Sequence, residues 1–125
     1  MEIVIKFIPH KEQRYETVGD YWEDQDGNLQ IRVSEMKNEM YNGMVAVHEL
    51  VEFLLCRKNG VSEDAITKFD IAFEKKRKKG NVDEPGFDNK APYRKEHTAA
   101  TAVEMIMCSA TGVSWNNYDK KVNSL

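Results

Sequence analysis

The stretch Val45-Ala46-Val47-His48-Glu49-Leu50-Val51-Glu52-Phe53-Leu54-Leu55-Cys56 holds only three polar residues among twelve. Apolar side chains surround it on nearly every side, which predicts a buried helix. That helix runs from about Glu39 to Arg57, with Gly60 just past its end, where a left-handed cap is favoured. Upstream the chain reads as β. Glu2 to Ile8 is rich in Ile, Val and Phe, and Pro9 closes it. Tyr15 to Trp22 is a second strand candidate, interrupted by Gly19-Asp20. In the third, Leu29, Ile31 and Val33 alternate with Gln30 and Arg32, the period of a half-buried strand. Asp26-Gly27 between the last two is a hairpin signal.

Downstream the chain reads as helical. A second helix starts at Ser62, a good N-cap, with Glu63 and Asp64 in its first turn. It continues through Ile66, Phe69, Ile71 and Phe73 into the basic residues Lys75 to Lys79 and stops at Gly80. Asn81 to Ala91 is a loop containing Pro85-Gly86. A third helix opens near Pro92 and closes at Gly112. Trp115 and Tyr118, in a tail of residues 113–125, are expected to dock on the core. The expected class is α+β: a small three-stranded antiparallel sheet followed by three packed α-helices. All of 1–125 forms one domain, β-rich over 1–35 and helical over 36–112.

Composition agrees with a single globular core. The chain has 125 residues, 41% hydrophobic and 31% charged, an ordinary balance for a water-soluble domain. No apolar run is long enough to span a bilayer, and Met1 to Lys6 lack the layout of a signal peptide. A cytoplasmic location is therefore expected. Cys56 and Cys108 lie in apolar helical stretches and read as reduced, buried thiols. The net charge of −3 argues against a dedicated nucleic-acid binder. Lys75 to Lys79 reads as a solvated helix end. No aromatic residues interleave with basic ones to form a stacking platform. Glycine-rich phosphate loops, Cys-x-x-Cys pairs and a serine elbow are absent.

Chemistry concentrates at the quoted helix. Isolated buried carboxylates cost several kcal/mol or take up a proton, and a divalent cation compensates several ligands at once. His48 and Glu52 are spaced i and i+4, so they share a face and can grip one ion. Glu49 sits beside that ion without having to ligate it. On the third helix, His97, Thr101 and Glu104 form one polar stripe, with Ala99, Ala100 and Ala102 permitting close approach of a neighbour. His97 is the expected third ligand. Glu104 is expected in an outer shell, holding the His97 ring or pairing elsewhere. Asp70, beside Phe69 and Phe73, is a further candidate ligand. Zinc is favoured by the two imidazoles, and another divalent metal is the alternative. His10 reads as an exposed loop residue, and Met36, Met40 and Met44 as core or interface filler.

His48-Glu49-Leu50-Val51-Glu52 resembles the His-Glu-x-x-His helix of the zincin metallopeptidases, with Glu52 in the place of the second histidine. The resemblance covers five residues and the strand-then-helix order. It implies a minimal metal-dependent hydrolase, peptidase-like, in which Glu49 is the general base. An oxygen donor at Glu52 also suits manganese, iron or magnesium. The chain also looks like small phage or prophage proteins that carry His-Glu-x-x-Glu and a later Tyr-x-x-x-His, here Tyr93 to His97. That likeness implies a phage origin in a host cytoplasm. It leaves open a non-catalytic protein with a buried polar or metal-stabilised core that acts through a binding partner. Glu49-x-x-Glu52 is similar as well to the paired-carboxylate helix of the helical nucleotide pyrophosphatases. The further Glu-x-x-Asp such enzymes use is missing from the second and third helices.

Overall fold

The computed structural model describes residues 1–125. Its elements are β1 (Ile3–Ile8), β2 (Gly19–Glu23), β3 (Leu29–Ser34), α1 (Glu39–Asn59), α2 (Glu63–Lys75), α3 (Arg94–Thr111) and α4 (Trp115–Asn123). Single 3-10 turns lie at His10–Glu12 and Pro85–Phe87. The class is α+β, as expected, and no helix is long and apolar enough to cross a membrane.

The sheet is mixed where an antiparallel one was expected. Its order is β1-β3-β2, with β3 antiparallel to β2 and parallel to β1. The cause lies in the connections. The link from β1 to β2 is long enough to leave room for one strand between them, and the hairpin after β2 folds β3 back into that gap. The hairpin loop is built on Asp24, whose carboxylate accepts from the backbone N–H groups of Asp26 and Asn28 at 2.9 and 3.0 Å. β3 is the natural centre strand, because Leu29, Ile31 and Val33 are all fully buried. On the edge, Ile3, Ile5 and Phe7 of β1 remain 45–49% exposed. α1 lies across β3 and β2 and leaves this edge uncovered.

α1 starts at Asn38, whose side chain accepts from Tyr41 N at 3.0 Å, and ends at Gly60. Its face toward the sheet and α3 is buried, but Leu54 is 54% exposed, so the helix is covered on fewer sides than its apolar sequence implied. α3 packs along α1, and Ala100 at the contact is fully buried.

Three further readings change. α2 ends at Lys75 rather than Gly80. Arg77 turns inward there. Its guanidinium binds the Glu74 carboxylate at 2.7 and 2.8 Å and the carbonyls of Asn81 and Asp83 at 2.6 and 2.7 Å. The four lysines around it stay exposed. The tail contains a fourth helix, α4, capped by Ser114. Trp115, Tyr118 and Val122 lie three and four residues apart and turn one face onto the core. His10 is half-buried in its 3-10 turn, with Nδ1 2.8 Å from Ser34 Oγ and Nε2 3.0 Å from Glu16. Cys56 and Cys108 are free and buried, and Met36 and Met44 are core residues, as read from the sequence.

Candidate metal centre

One turn of α1 presents His48 and Glu52 toward α3, and α3 returns His97. Their exposures are 6%, 5% and 7%. Three ligand-capable atoms meet pairwise. His48 Nε2 lies 3.1 Å from Glu52 Oε2 and 3.1 Å from His97 Nδ1, and His97 Nδ1 lies 2.9 Å from Glu52 Oε2. A proton on one nitrogen can serve only one edge of this triangle. Protons on both nitrogens would turn like charges toward each other. A divalent cation meets all three lone pairs together. Donors at about 2.1 Å around a tetrahedral ion are separated by roughly 3.4 Å, slightly more than these contacts. This buried group can hold a metal ion.

The tautomer of His48 is set from behind. Its Nδ1 faces Glu104 Oε1 in a short hydrogen bond, and Glu104 Oε2 accepts the hydroxyl of Tyr118 in another. Nδ1 therefore donates, which leaves Nε2 as the nitrogen that would offer its lone pair to an ion at the centre. An outer carboxylate of this kind orients metal-binding histidines and raises their basicity. Of the two expectations for Glu104, holding the His97 ring or pairing elsewhere, the second is the one seen: it serves His48, because the two helices bring residues 48 and 104 face to face. Thr101, the other member of the α3 stripe, donates its hydroxyl to the His97 carbonyl at 3.0 Å.

The electrostatics follow from the same contacts. Burial alone lowers His48, but Glu104 and Glu52 outweigh it and hold the imidazole well above its ordinary range. Burial also lowers His97, yet Glu52 and Glu84 raise it to about 9. Burial raises Glu52, and the two histidines overcome this and pull it down. Both imidazoles are thus biased toward their charged form by the carboxylates around them, at the cost of facing each other, and a cation bound at the centre would displace those protons.

Glu49 occupies the neighbouring position and plays no part in the triangle. Its carboxyl lies against the backbone of β2, where a Cβ on Gly19 would fall 2.4 Å from Glu49 Oε1. Only glycine leaves room for it there. Burial and the charge of Glu52 push its pKa well above the usual carboxylate range. Glu49 lines the same cavity of about 320 Å³ as His48, Glu52 and His97. Asp70 lines this cavity too, but it is engaged elsewhere. The hydroxyl of Tyr15 donates to Oδ2 at 3.1 Å and that of Tyr93 donates to Oδ1. Burial pushes the Asp70 carboxyl up to about 6.

Sequence reading missed Tyr118, Tyr15, Tyr93 and Glu84 as polar partners of the site. Tyr118 carried only a packing signal, Tyr15 only marked the start of a strand, Tyr93 entered only through the Tyr-x-x-x-His spacing, and Glu84 lies in an irregular loop with no period to place it. The chain matches no family model, no curated protein and no solved structure.

Proposed function

We propose that the protein is a metal-dependent hydrolase that holds one divalent ion on His48, Glu52 and His97. The observation that carries this reading is the triangle of three buried donor atoms, none more than 3.1 Å from the others. Two imidazoles and one carboxylate are a donor set of catalytic zinc sites that keep a position open for water. The same set also serves non-haem iron. An ion held by these three residues would supply Lewis acidity and would lower the pKa of a water in the open position to about 7.

Glu49 is the general base. It carries no hydrogen bond of its own, faces the cavity, and has an affinity for protons raised by burial and by the charge of Glu52. It accepts the proton of the water as the oxygen attacks a carbonyl carbon, and returns it to the leaving group. A peptide is the proposed substrate, on the zincin resemblance of residues 48–52. The paired-carboxylate alternative needs Glu49 and Glu52 on one ion. It is less well supported, because Glu52 reaches both imidazoles and Glu49 reaches neither within hydrogen-bond distance.

The test is elemental analysis of untagged protein purified without chelator, followed by a peptide panel. About one equivalent of metal is expected, lost in His48→Ala. Glu49→Gln should keep the metal and lose hydrolysis. Metal content indifferent to His48→Ala would remove the centre. A metal-loaded protein that cleaves no peptide would remove the peptidase reading.

A further inference from the structure

His97 has two ring nitrogens, and the triangle uses only Nδ1. Nε2 is the one buried side-chain nitrogen or oxygen in the chain without a hydrogen-bond partner. Buried polar atoms in folded proteins are nearly always paired, so an exception calls for a partner nearby. The carboxylate that faces this nitrogen is Glu84, with Oε2 at 3.7 Å, just beyond hydrogen-bond reach.

Glu84 is held there by a built segment. Arg77, itself fixed by Glu74, grips the carbonyls of Asn81 and Asp83 immediately before it. The 3-10 turn Pro85–Phe87 follows directly. Gly86 lies flat on the His97 ring, and a Cβ there would fall 2.3 Å from Cγ of the imidazole. Phe87 meets the same ring edge to face, with centroids 4.6 Å apart. The segment therefore cups one imidazole and brings one carboxylate to its far nitrogen. Residues 81–86 also line the cavity that contains the triangle.

We propose that Glu84 is a positioning residue of the metal centre: it accepts the Nε2–H of His97, commits Nδ1 to the ion, and ties the 81–87 segment to the site. The arrangement mirrors the one at His48. There Glu104 accepts the Nδ1–H and leaves Nε2 to the centre; here Glu84 accepts the Nε2–H and leaves Nδ1. Each imidazole is then backed by a carboxylate from a different part of the chain. A small closing movement of the segment completes the bond, and the cavity wall moves with it. The metal arm of this inference rests on the centre proposed above, whereas the hydrogen bond itself does not.

The test compares ¹⁵N-labelled full-length protein with Glu84→Ala, Glu84→Gln and Glu63→Gln. Glu63 is another cavity carboxylate, bonded to the backbone N–H of Glu23 at 2.8 Å and not to His97. The readouts are the His97 Nε2 proton resonance, with and without zinc, and zinc affinity by competition with a chromophoric chelator. In the parent protein the proton should be shifted downfield and exchange slowly in both states. In Glu84→Ala it should exchange rapidly, and zinc affinity should fall about 10- to 100-fold. Glu84→Gln should recover part of both, since its amide oxygen still accepts, and Glu63→Gln should match the parent. An unchanged Nε2 proton in Glu84→Ala overturns the proposal, as does equal loss in Glu63→Gln. If the parent takes up no zinc, the metal reading falls, while the proton measured in metal-free protein still decides the role of Glu84. If Glu84→Ala does not fold, the nearly isosteric Glu84→Gln carries the same comparison.

Discussion

Glu104 on α3 faces Nδ1 of His48 on α1, and this one contact decides which imidazole nitrogen meets Glu52 and His97. Tyr118 holds the other oxygen of Glu104 from α4. The C-terminal helix, which makes no direct contribution to the triangle, therefore reaches the centre through two hydrogen bonds.

Glu104→Gln keeps the shape of the side chain but removes its charge and offers an N–H that can confront the His48 proton. Zinc affinity should fall about 10- to 100-fold. Tyr118→Phe removes only the hydroxyl donor, so a smaller loss of affinity is expected. It should also cost about 1–3 kcal/mol of stability, because a buried carboxylate oxygen loses its partner. Chelator competition and urea unfolding measure the two effects. Parent-like affinity in Glu104→Gln would show that the carboxylate does not control the imidazole.

Gly86→Ala tests the cup around His97. The added methyl group would collide with the ring, so either the ring or the 81–87 segment must move. Overpacking of this kind costs about 1–3 kcal/mol. Zinc affinity should drop as well, because the displaced ring atom is bonded to Nδ1, the nitrogen proposed to hold the ion. A fully stable variant with unchanged affinity would mean that the segment yields freely.

How much of this was readable in advance depended on periodicity. His48, Glu52 and His97 stood out because polar residues on apolar helices are conspicuous and helical spacing assigns their faces. Their meeting across α1 and α3 followed from small residues such as Ala100. The parallel pairing of β1 was not readable, since strand order depends on how far the Pro9 to Val18 connection travels, which carries no local signal. α4 was missed because nine residues show only about two and a half turns of pattern. Asp70, a further candidate ligand by its place on α2, is buried, but the sequence could not show that Tyr15 and Tyr93 arrive from distant segments to occupy it.

Asp70→Asn follows from that last point. With both oxygens engaged by tyrosines, Asp70 should be dispensable for the ion, and metal stoichiometry should remain at the parent value. Stability should fall by about 1–3 kcal/mol, because an amide NH₂ cannot accept a tyrosine hydroxyl. Plasma emission spectrometry and thermal unfolding give the two numbers. Loss of the metal from a folded Asp70→Asn protein would return Asp70 to the ligand set.

The metal-free and zinc-loaded proteins should respond to pH in opposite directions. In the metal-free fold His97 titrates near 9, since Glu52 and Glu84 outweigh the effect of burial. In the unfolded chain it titrates at about 6.5. Between those values the folded state holds more protons than the unfolded one, so stability falls as pH rises through the window. The contribution is complete below the lower value and gone above the upper one. His48, also raised, acts with the same sign. Zinc binding runs the other way, because the ion takes lone pairs that protons occupy, so affinity rises with pH across the same window. At a free zinc concentration 1,000 times Kd the gain is about 4 kcal/mol. The rise in Tm on adding zinc should therefore be small near pH 6 and large near pH 8.5, while the Tm of chelator-treated protein declines over that range. His48→Ala should abolish the zinc-dependent rise. A rise of equal size at both pH values would mean that no imidazole proton is displaced, and the ion would have to lie somewhere other than on His48 and His97.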